Sequence, residues 1–522
     1  MTNISRRAII ASGIAGASAL GASFLFAVNR LSGSGRDIAD VFTTPLPMPP
    51  LIDGRDIGNV VTLEATAGTT KFQQGAASRT FGYSGSYLGP ALRLHRGDTV
   101  TMTVANKLDR QTTVHSHGLL TPSDLDGGPH NAIEPGDVWQ PFLTIDQPVA
   151  TLWYHPHPHG DTARQVYHGL AGLLYVEDSS AQSLGLPTSY GVDDIPLILQ
   201  DREFSAEGLL SYDNSPAAIQ HGSRDNTILV NGAMAPRSEV PAGVVRLRLL
   251  NGANARNFRL VFADRRPMHV IANDNGFIAA PAAVSEITIA PGERYELLVD
   301  FSDGKLIPLL TYPDTSDSPE ASLTPVLLFA PNGPMNSANQ YIPKQLADAE
   351  FPAVAAAVRR RSFVLDGMAA ANDTLTKGAS AAGPPTDNGA MPGMDHSQMA
   401  AAGGTGLSGL DMGMKMGING APFDMARIDA EMKIGETEIW ELRSTEMAHP
   451  FHIHGASFRI LSLDGAPPPE HVAGAKDTVL VRSSAEILVT FKHKTEAGKP
   501  FVFHCHILEH EDAGMMAQYV TS

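Results

Sequence analysis

The sequence predicts an all-β protein of three β-sandwich domains, and three observations carry that expectation. Short runs, many rich in β-branched residues, recur along the chain, each bounded by Gly, Pro, Asn or Asp; such runs form strands closed by turns. Long amphipathic stretches with the 3.6-residue helical period are scarce. A strand-and-loop pattern also repeats. Residues 97–118 read GDTVTMTVANKLDRQTTVHSHG and residues 435–455 read GETEIWELRSTEMAHPFHIHG. Residues 243–260, GVVRLRLLNGANARNFRL, share the strand and loop without the histidines. A chain of 522 residues has room for about three domains at roughly 150 residues each.

Taken along the chain, strands are expected at 99–106, 171–178, 195–200, 244–250, 285–301, 438–444, 477–482, 486–491 and 501–506. The repeat and the Pro/Gly-rich joints near 180–192 and 331–355 divide the chain into domains at 45–185, 190–345 and 355–522. Residues 378–417 form a low-complexity Ala/Gly/Met insert within the third. The formal net charge of −17 argues against nucleic-acid binding, which needs a basic face for phosphates. The single cysteine excludes an intramolecular disulfide, an all-cysteine zinc site and a cysteine-ligated iron–sulfur cluster.

Most of the 19 histidines fall in four motifs. These are His115-Ser116-His117-Gly118, His155-Pro156-His157-Pro158-His159, His449-Pro450-Phe451-His452-Ile453-His454, and His504-Cys505-His506 followed by His510 and Met515. Side chains alternate across a strand, so residues i and i+2 share a face. That pairs His115 with His117, His155 with His157, His452 with His454, and His504 with His506. Cys505 and His449 have the opposite parity, and His510 and Met515 lie beyond the strand, free to fold back. Two histidines, a cysteine and a weak axial methionine are the ligands of a blue-copper electron-transfer site, and the eight paired imidazoles suit copper ions that bind and reduce oxygen. A structural zinc needs only four ligands and is redox-inert, so zinc gives no reason to interleave two sites on one strand. A lone His-x-His is ordinarily a polar strand edge, and a lone buried cysteine a small apolar filler; four pairs in this order exceed both readings.

With these motifs the sequence resembles the multicopper oxidases, a family of repeated cupredoxin domains that includes laccases and the cuprous oxidases of bacterial copper efflux. The resemblance covers roughly residues 45–522. It implies three cupredoxin-like, Greek-key sandwiches and four copper ions. The type 1 ion would take His449, Cys505, His510 and axial Met515. The type 2 ion would take His115 and His452. The type 3 pair would take His117, His155 and His506 on one ion, and His157, His454 and His504 on the other. Cys505 would receive each electron. Asp126 and Glu511 match the family's acidic residues beside the oxygen-reducing centre, where protons must arrive with electrons. His159 is expected to take a loop role and Met516 a packing role.

The reducing substrate is read from thioethers, soft ligands that select Cu(I). Met391, Met394, His396 and Met399 lie in the insert, with Met412, Met414 and Met416 after them. Met447 stands two residues before His449, where copper-efflux oxidases place a Cu(I)-binding methionine. Thr445, with Glu446 beside it, departs from the acidic residue of those enzymes. Cu(I) oxidation in copper tolerance is the expected function. A laccase acting on phenols, a non-catalytic copper store and a structural envelope protein are the alternatives.

At the N-terminus, Arg6-Arg7 and the small-residue apolar run from Ala8 to Val28 resemble a twin-arginine export signal over residues 1–30. A cleaved signal and an uncleaved membrane anchor both fit this run, and its glycines and serines favour the signal. The expected setting is therefore periplasmic. The expected partners are O2, Cu(I) or phenolic donors and the twin-arginine machinery, with the protein acting as a monomer.

Overall fold

The computed structural model describes residues 41–73, 75–314, 323–333, 340–346, 351–366 and 416–522. The export segment and Met391, Met394, His396 and Met399 lie outside the described residues. The rest is built from strands in three pairs of sheets. In the first pair, Leu51–Asp53, Ala91–His95, Gly172–Glu177, Ala150–His155 and His115–His117 form one sheet, in that order. The other holds Ser78–Tyr83, Val60–Thr70, Thr99–Asn106 and Val138–Trp139, with Phe142–Thr144 also on Thr99–Asn106. Val60–Thr70 buries alternate residues, so Val61, Leu63 and Ala65 meet Leu92, Leu152 and Leu174 between the sheets. That is the period-2 pattern of a strand with one face on a core.

The middle pair has a sheet of eight strands around Asp194–Phe204, Val244–Asn251 and Arg294–Asp300 and a sheet of six around Phe258–Phe262 and Thr324–Gly333. Thr44–Pro45 adds to the six-stranded sheet by pairing with Pro236–Pro241. The expected strand at 285–301 is two strands. Glu286–Ile289 pairs with Phe258–Phe262, and Arg294–Asp300 with Val244–Asn251 in the opposite sheet. Pro291 and Gly292 make the break, and Gly292 has φ +82°.

The third pair places Ala357–Asp366, Thr437–Ser444, Ser484–Phe491 and Ala456–Leu463 in one sheet. The other runs Ala430–Met432, Met516–Thr521, Phe501–Cys505, His449–Ile453 and Thr478–Val481. Gly417–Ile418 pairs with Ala357–Asp366, and Met416 is buried with its N–H on the Ala513 carbonyl at 3.0 Å. Met416 is thus a core residue, a packing role the sequence grouping did not anticipate; the insert methionines it was grouped with lie outside the described residues.

Val244–Asn251 is buried along both faces. Val245, Leu247 and Leu249 face the sandwich core. Leu250 joins Ile198 and the first sandwich's Trp153, Leu173 and Tyr175 in a separate cluster. Arg246 and Arg248 lie in this contact, each about 1% exposed. Arg248 grips Asp194 through two bonds of 2.8 and 2.9 Å and reaches Glu177 at 2.9 Å and Thr151 Oγ1 at 3.2 Å. Arg246 pairs with Glu296, whose other oxygen accepts from Thr151 Oγ1 at 2.7 Å. Short segments tie the remaining contacts. Asn273 bonds the His471 carbonyl and the Gly474 N–H, both at 2.8 Å. Asp512 accepts the N–H groups of Thr162 and Ala163, both at 2.9 Å. No helix among the described residues is long and apolar enough to cross a membrane.

Replacing Arg248 with Met leaves Asp194 buried without its guanidinium partner. Breaking a buried ion pair from one side costs about 3–5 kcal/mol. Urea unfolding of the copper-free variant should show a lower midpoint; an unchanged midpoint would contradict a holding role for this ion ladder.

Candidate metal centres

Two neighbouring strands set the geometry. Phe501–Cys505 runs antiparallel to His449–Ile453, with Phe451 opposite Cys505 and His452 opposite His504. Cross-strand partners share a face, so His452 and His504 lie together, with ring centroids 5.4 Å apart. Cys505 occupies the other face. Its Sγ is 3.3 Å from His449 Nδ1 and 3.7 Å from His510 Nδ1, and the two nitrogens are 3.3 Å apart. His510 comes from the helix Leu508–Asp512 just beyond the strand. The chain then folds back: Met515 donates its N–H to the His510 carbonyl at 2.8 Å and accepts the Cys505 N–H at 3.0 Å. The Met515 side chain is fully buried. The Ile507 N–H points at Sγ from 3.4 Å, a donor aimed at the sulfur. Burial raises the Cys505 thiol well above its usual range, lowers His449 to about 4 and holds His510 well below the usual imidazole range. Both imidazoles are therefore neutral donors. With no metal bound the thiol would stay protonated; a soft cation would displace that proton.

On the other face the eight remaining imidazoles converge, each at most 1% exposed. Oxygen acceptors fix five of them through Nδ1. His115 Nδ1 donates to the Asp126 carbonyl and His452 Nδ1 to the Asp477 carbonyl, both at 2.9 Å. His454 Nδ1 donates to Asp126 Oδ2 at 2.7 Å, His155 Nδ1 to the Pro156 carbonyl at 2.9 Å, and His504 Nδ1 to the Cys505 carbonyl at 3.0 Å. Such bonds set the tautomer and leave Nε2 as a lone-pair donor. His157 Nδ1 is 3.3 Å from Glu511 Oε1. The Nε2 atoms of His157 and His454 each lie 3.2 Å from Nε2 of His504. Nε2 of His115, His452 and His506 is buried with no hydrogen-bond partner. Lone pairs meeting head-on and unpartnered buried nitrogens are costly unless a cation sits among them. Burial, reinforced by neighbouring histidines, holds His117, His155, His157, His454 and His504 well below the usual imidazole range and His506 at about 3. The donor chemistry thus fits copper at both faces: two nitrogens and a sulfur on one, imidazole nitrogens on the other.

His117 departs from the pattern. Its Nε2 is 3.1 Å from Asp477 Oδ1 and 3.3 Å from Thr478 Oγ1, and its Nδ1 faces His155 Nε2 at 3.4 Å. Asp477 was invisible as a site residue in the sequence, where it reads only as the polar start of a strand.

Asp126 is buried between two histidines, with His115 Nδ1 3.4 Å away at its second contact. The following Gly127 has φ +76°, and a Cβ there would fall 1.8 Å from the Val114 carbonyl oxygen. The Asp-Gly pair is therefore required by a close backbone approach as well as by the carboxylate. Glu511 lies 3.3 Å from His157 Nδ1 and 3.2 Å from His504 Nδ1. Burial and the neighbouring Asp512 hold it well above the usual carboxylate range, so it retains a proton. His159 is exposed, edge-on to Phe423 at 5.1 Å, outside both clusters. Met516 is buried on the last strand. Met447 is partly buried against the core close to His449, while Thr445 and Glu446 are exposed.

Three sandwiches with a thiolate–imidazole site back to back with an imidazole cluster define a copper-binding redox protein. Comparison with known proteins agrees. Multicopper oxidase family profiles match residues 64–181, 205–306 and 388–522. A multicopper oxidase of Staphylococcus haemolyticus is 36% identical over 466 residues, 88% of this chain and 87% of that protein. The cell division protein FtsP of Escherichia coli is 34% identical over 92% of this chain and 93% of its own length. Among solved structures, the laccase-like multicopper oxidase CueO of an Ochrobactrum species superposes with a TM-score of 0.82 at 46% identity, covering 92% of this chain and all of that one. The chain belongs to the multicopper oxidase family and has its cupredoxin-like fold; the family's enzymes are copper-dependent oxidoreductases.

Asp126→Ala would release the Nδ1 of His454. Loss of such an outer partner typically weakens metal retention about 10–100-fold. Copper content after dialysis against a graded chelator should fall in the variant first; identical retention curves would contradict the orienting role.

Proposed function

We propose that this chain couples one-electron oxidation of Cu(I), and of phenolic donors, to the four-electron reduction of O2 to water, and that it serves copper tolerance. The observation that carries the reading is Cys505, whose side chain lies on one face of a strand while its two neighbours, His504 and His506, lie on the other. His449, Cys505, His510 and Met515 would hold the type 1 ion. His115 and His452 would hold the type 2 ion. His117, His155 and His506, and His157, His454 and His504, would hold the type 3 pair. Bound copper would supply one-electron transfer at the first site and oxygen reduction at the second.

The chain's own residues do the rest. Cys505 is joined to His504 and His506 through single peptide units, and the His504 Nδ1 bond to the Cys505 carbonyl adds a hydrogen-bonded route of 3.0 Å. Glu511, beside His157 and His504 and raised above the usual carboxylate range by burial and by Asp512, would carry protons to the face where water forms. Asp126 orients His115 and His454. Burial of both histidine sets would keep bulk water away from ions held there.

Cu(I) as donor is supported by Met447 beside His449 and by the methionines at 391, 394 and 399 with His396 in the insert. Phenols as the main donor are the second reading, favoured by the 46% identity to an oxidase described as acting on lignin model compounds and lignosulfonate. The likeness to FtsP, a protein named for cell division, keeps a non-catalytic role, structural or copper-storing, as the remaining alternative. The intact ligand set and the unpartnered buried nitrogens favour catalysis. Export through the twin-arginine route to the periplasm as a monomer, and the domain limits 45–185, 190–345 and 355–522, belong to the same proposal.

Oxygen uptake by copper-loaded protein, with Cu(I) and with a bulky phenol, tests it. Deleting 378–415, which spares the buried Met416 and the strand Gly417–Ile418, should lower Cu(I) turnover and raise phenol turnover, and Cys505→Ser should abolish both along with the blue colour. Turnover retained by Cys505→Ser would reject the oxidase mechanism, and no effect of the deletion would reject the role of the insert.

A further inference from the structure

The middle sandwich supplies none of the proposed copper ligands, yet one of its side chains reaches the imidazole cluster. Arg294, at the start of Arg294–Asp300, is fully buried. A guanidinium has five N–H donors in a rigid fork, and each has an acceptor. Nε donates to the Thr151 carbonyl at 3.1 Å, in the first sandwich. Nη1 donates to the Gly292 carbonyl at 3.0 Å and Nη2 to the Asp274 carbonyl at 3.0 Å, both in the middle one. Nη1 and Nη2 then clasp both carboxylate oxygens of Asp477 in the third, at 2.7 and 2.6 Å.

Asp477 continues the chain of contacts to the histidines. Its Oδ1 lies 3.1 Å from His117 Nε2 and accepts from Thr478 Oγ1 at 2.9 Å, and its carbonyl accepts from His452 Nδ1 at 2.9 Å. The surroundings are shaped for this fork. A Cβ on Gly118, the glycine closing the first motif, would fall 2.5 Å from Arg294 Nη2 and from Asp477 Oδ2. A Cβ on Gly292, whose carbonyl Arg294 holds, would fall 2.8 Å from the His506 ring. Gly118 is thus held to glycine by its φ of +86° and by the passage of this charge pair, whereas Gly455, which closes the matching motif of the third sandwich, meets the Phe501 ring instead.

We infer that Arg294 is a positioning residue for the oxygen-reducing centre: from the one sandwich without ligands, it fixes Asp477 and through it the settings of His117 and His452, which come from different sandwiches. The inference rests on the trinuclear reading proposed above. Arg294 touches no reacting atom and acts chiefly through Asp477, with a lesser hold on the Gly292 carbonyl beside His506. A plain structural pin would affect both copper sites alike, whereas a positioning role falls on the type 2 and type 3 ligands and spares His449, Cys505 and His510 on the other face of the sheet.

The test compares copper-loaded Arg294→Met and Arg294→Lys with the parent protein. Three readouts are taken: copper per chain, the type 2 paramagnetic resonance signal against the blue type 1 absorption, and the KM for O2 against kcat. Arg294→Met should retain the blue absorption and lose the type 2 signal, with copper affinity at that site about 10–100-fold weaker. Arg294→Lys keeps the charge without the fork and should recover part of that loss. If Arg294→Met does not fold, Arg294→Lys decides, since it should weaken type 2 copper while leaving type 1 copper intact. Equal loss of both signals, or no loss of either, overturns the inference. A parent protein with type 1 copper but no type 2 signal would instead overturn the trinuclear reading beneath it.

Discussion

Eight imidazoles can share a dry interior only if each is neutral and each turns the right nitrogen inward. That constraint governs the molecule. Burial and neighbouring histidines disfavour the charged form of His117, His155, His157, His452, His454, His504 and His506, and the direction of each ring depends on what its outer nitrogen finds. Here the outer nitrogens find backbone carbonyls at Asp126, Pro156, Asp477 and Cys505 and a carboxylate at Asp126. The cysteine face reverses the choice: His449 and His510 both turn Nδ1 toward the sulfur. His510 gives Nε2 to the Gln220 carbonyl at 3.2 Å. Apart from His117, whose Nδ1 also turns toward its neighbours, the rings fixed by hydrogen bonds thus differ in orientation between the two faces as well as in ligand type.

Holding these orientations takes three sandwiches, since the histidines come from the first and third and much of the scaffold from the second. The middle sheet presents Arg246 and Arg248 to the first sandwich and Arg294 to both others, and the short helix Pro216–His221 of the same sandwich brings the Gln220 carbonyl to His510. The helix Leu508–Asp512 is the matching junction on the third sandwich. Its Leu508 packs on Ala163 and Val166, and its Glu509 accepts from Asn254 at 2.8 Å and the Ser223 N–H at 3.1 Å. Its His510 faces Cys505, its Glu511 faces the imidazole cluster, and its Asp512 caps backbone of the first sandwich. Five residues thus tie both proposed copper sites to the two neighbouring sandwiches.

Much of this was legible in the sequence. Strands at 99–106, 244–250 and 438–444 announced themselves through composition and flanking turns, and side-chain parity sorted Cys505 from His504 and His506. The strand at 285–301 reads as one because strand-forming residues lie on both sides of Pro291-Gly292, Ile287, Thr288 and Ile289 before it and Tyr295, Leu297, Leu298 and Val299 after it, and only pairing reveals that the two halves belong to opposite sheets. Asp477 and Arg294 escaped for a related reason: in a single strand a charged residue signals a solvent face, and here that face is a contact between sandwiches. Their partners lie 183 positions apart, a separation that no local pattern reports. The short helices that carry His510 and Gln220 are too brief to show a helical period.

The account stands most directly on where copper binds. Diffraction from crystals of copper-loaded protein, measured on both sides of the copper absorption edge, locates each ion without reference to activity. The expected map has one anomalous peak bounded by His449 Nδ1, Cys505 Sγ and His510 Nδ1, and three more among the other eight imidazoles. Copper confined to exposed histidines such as His159, or a single ion spanning both faces of the strand, would contradict it.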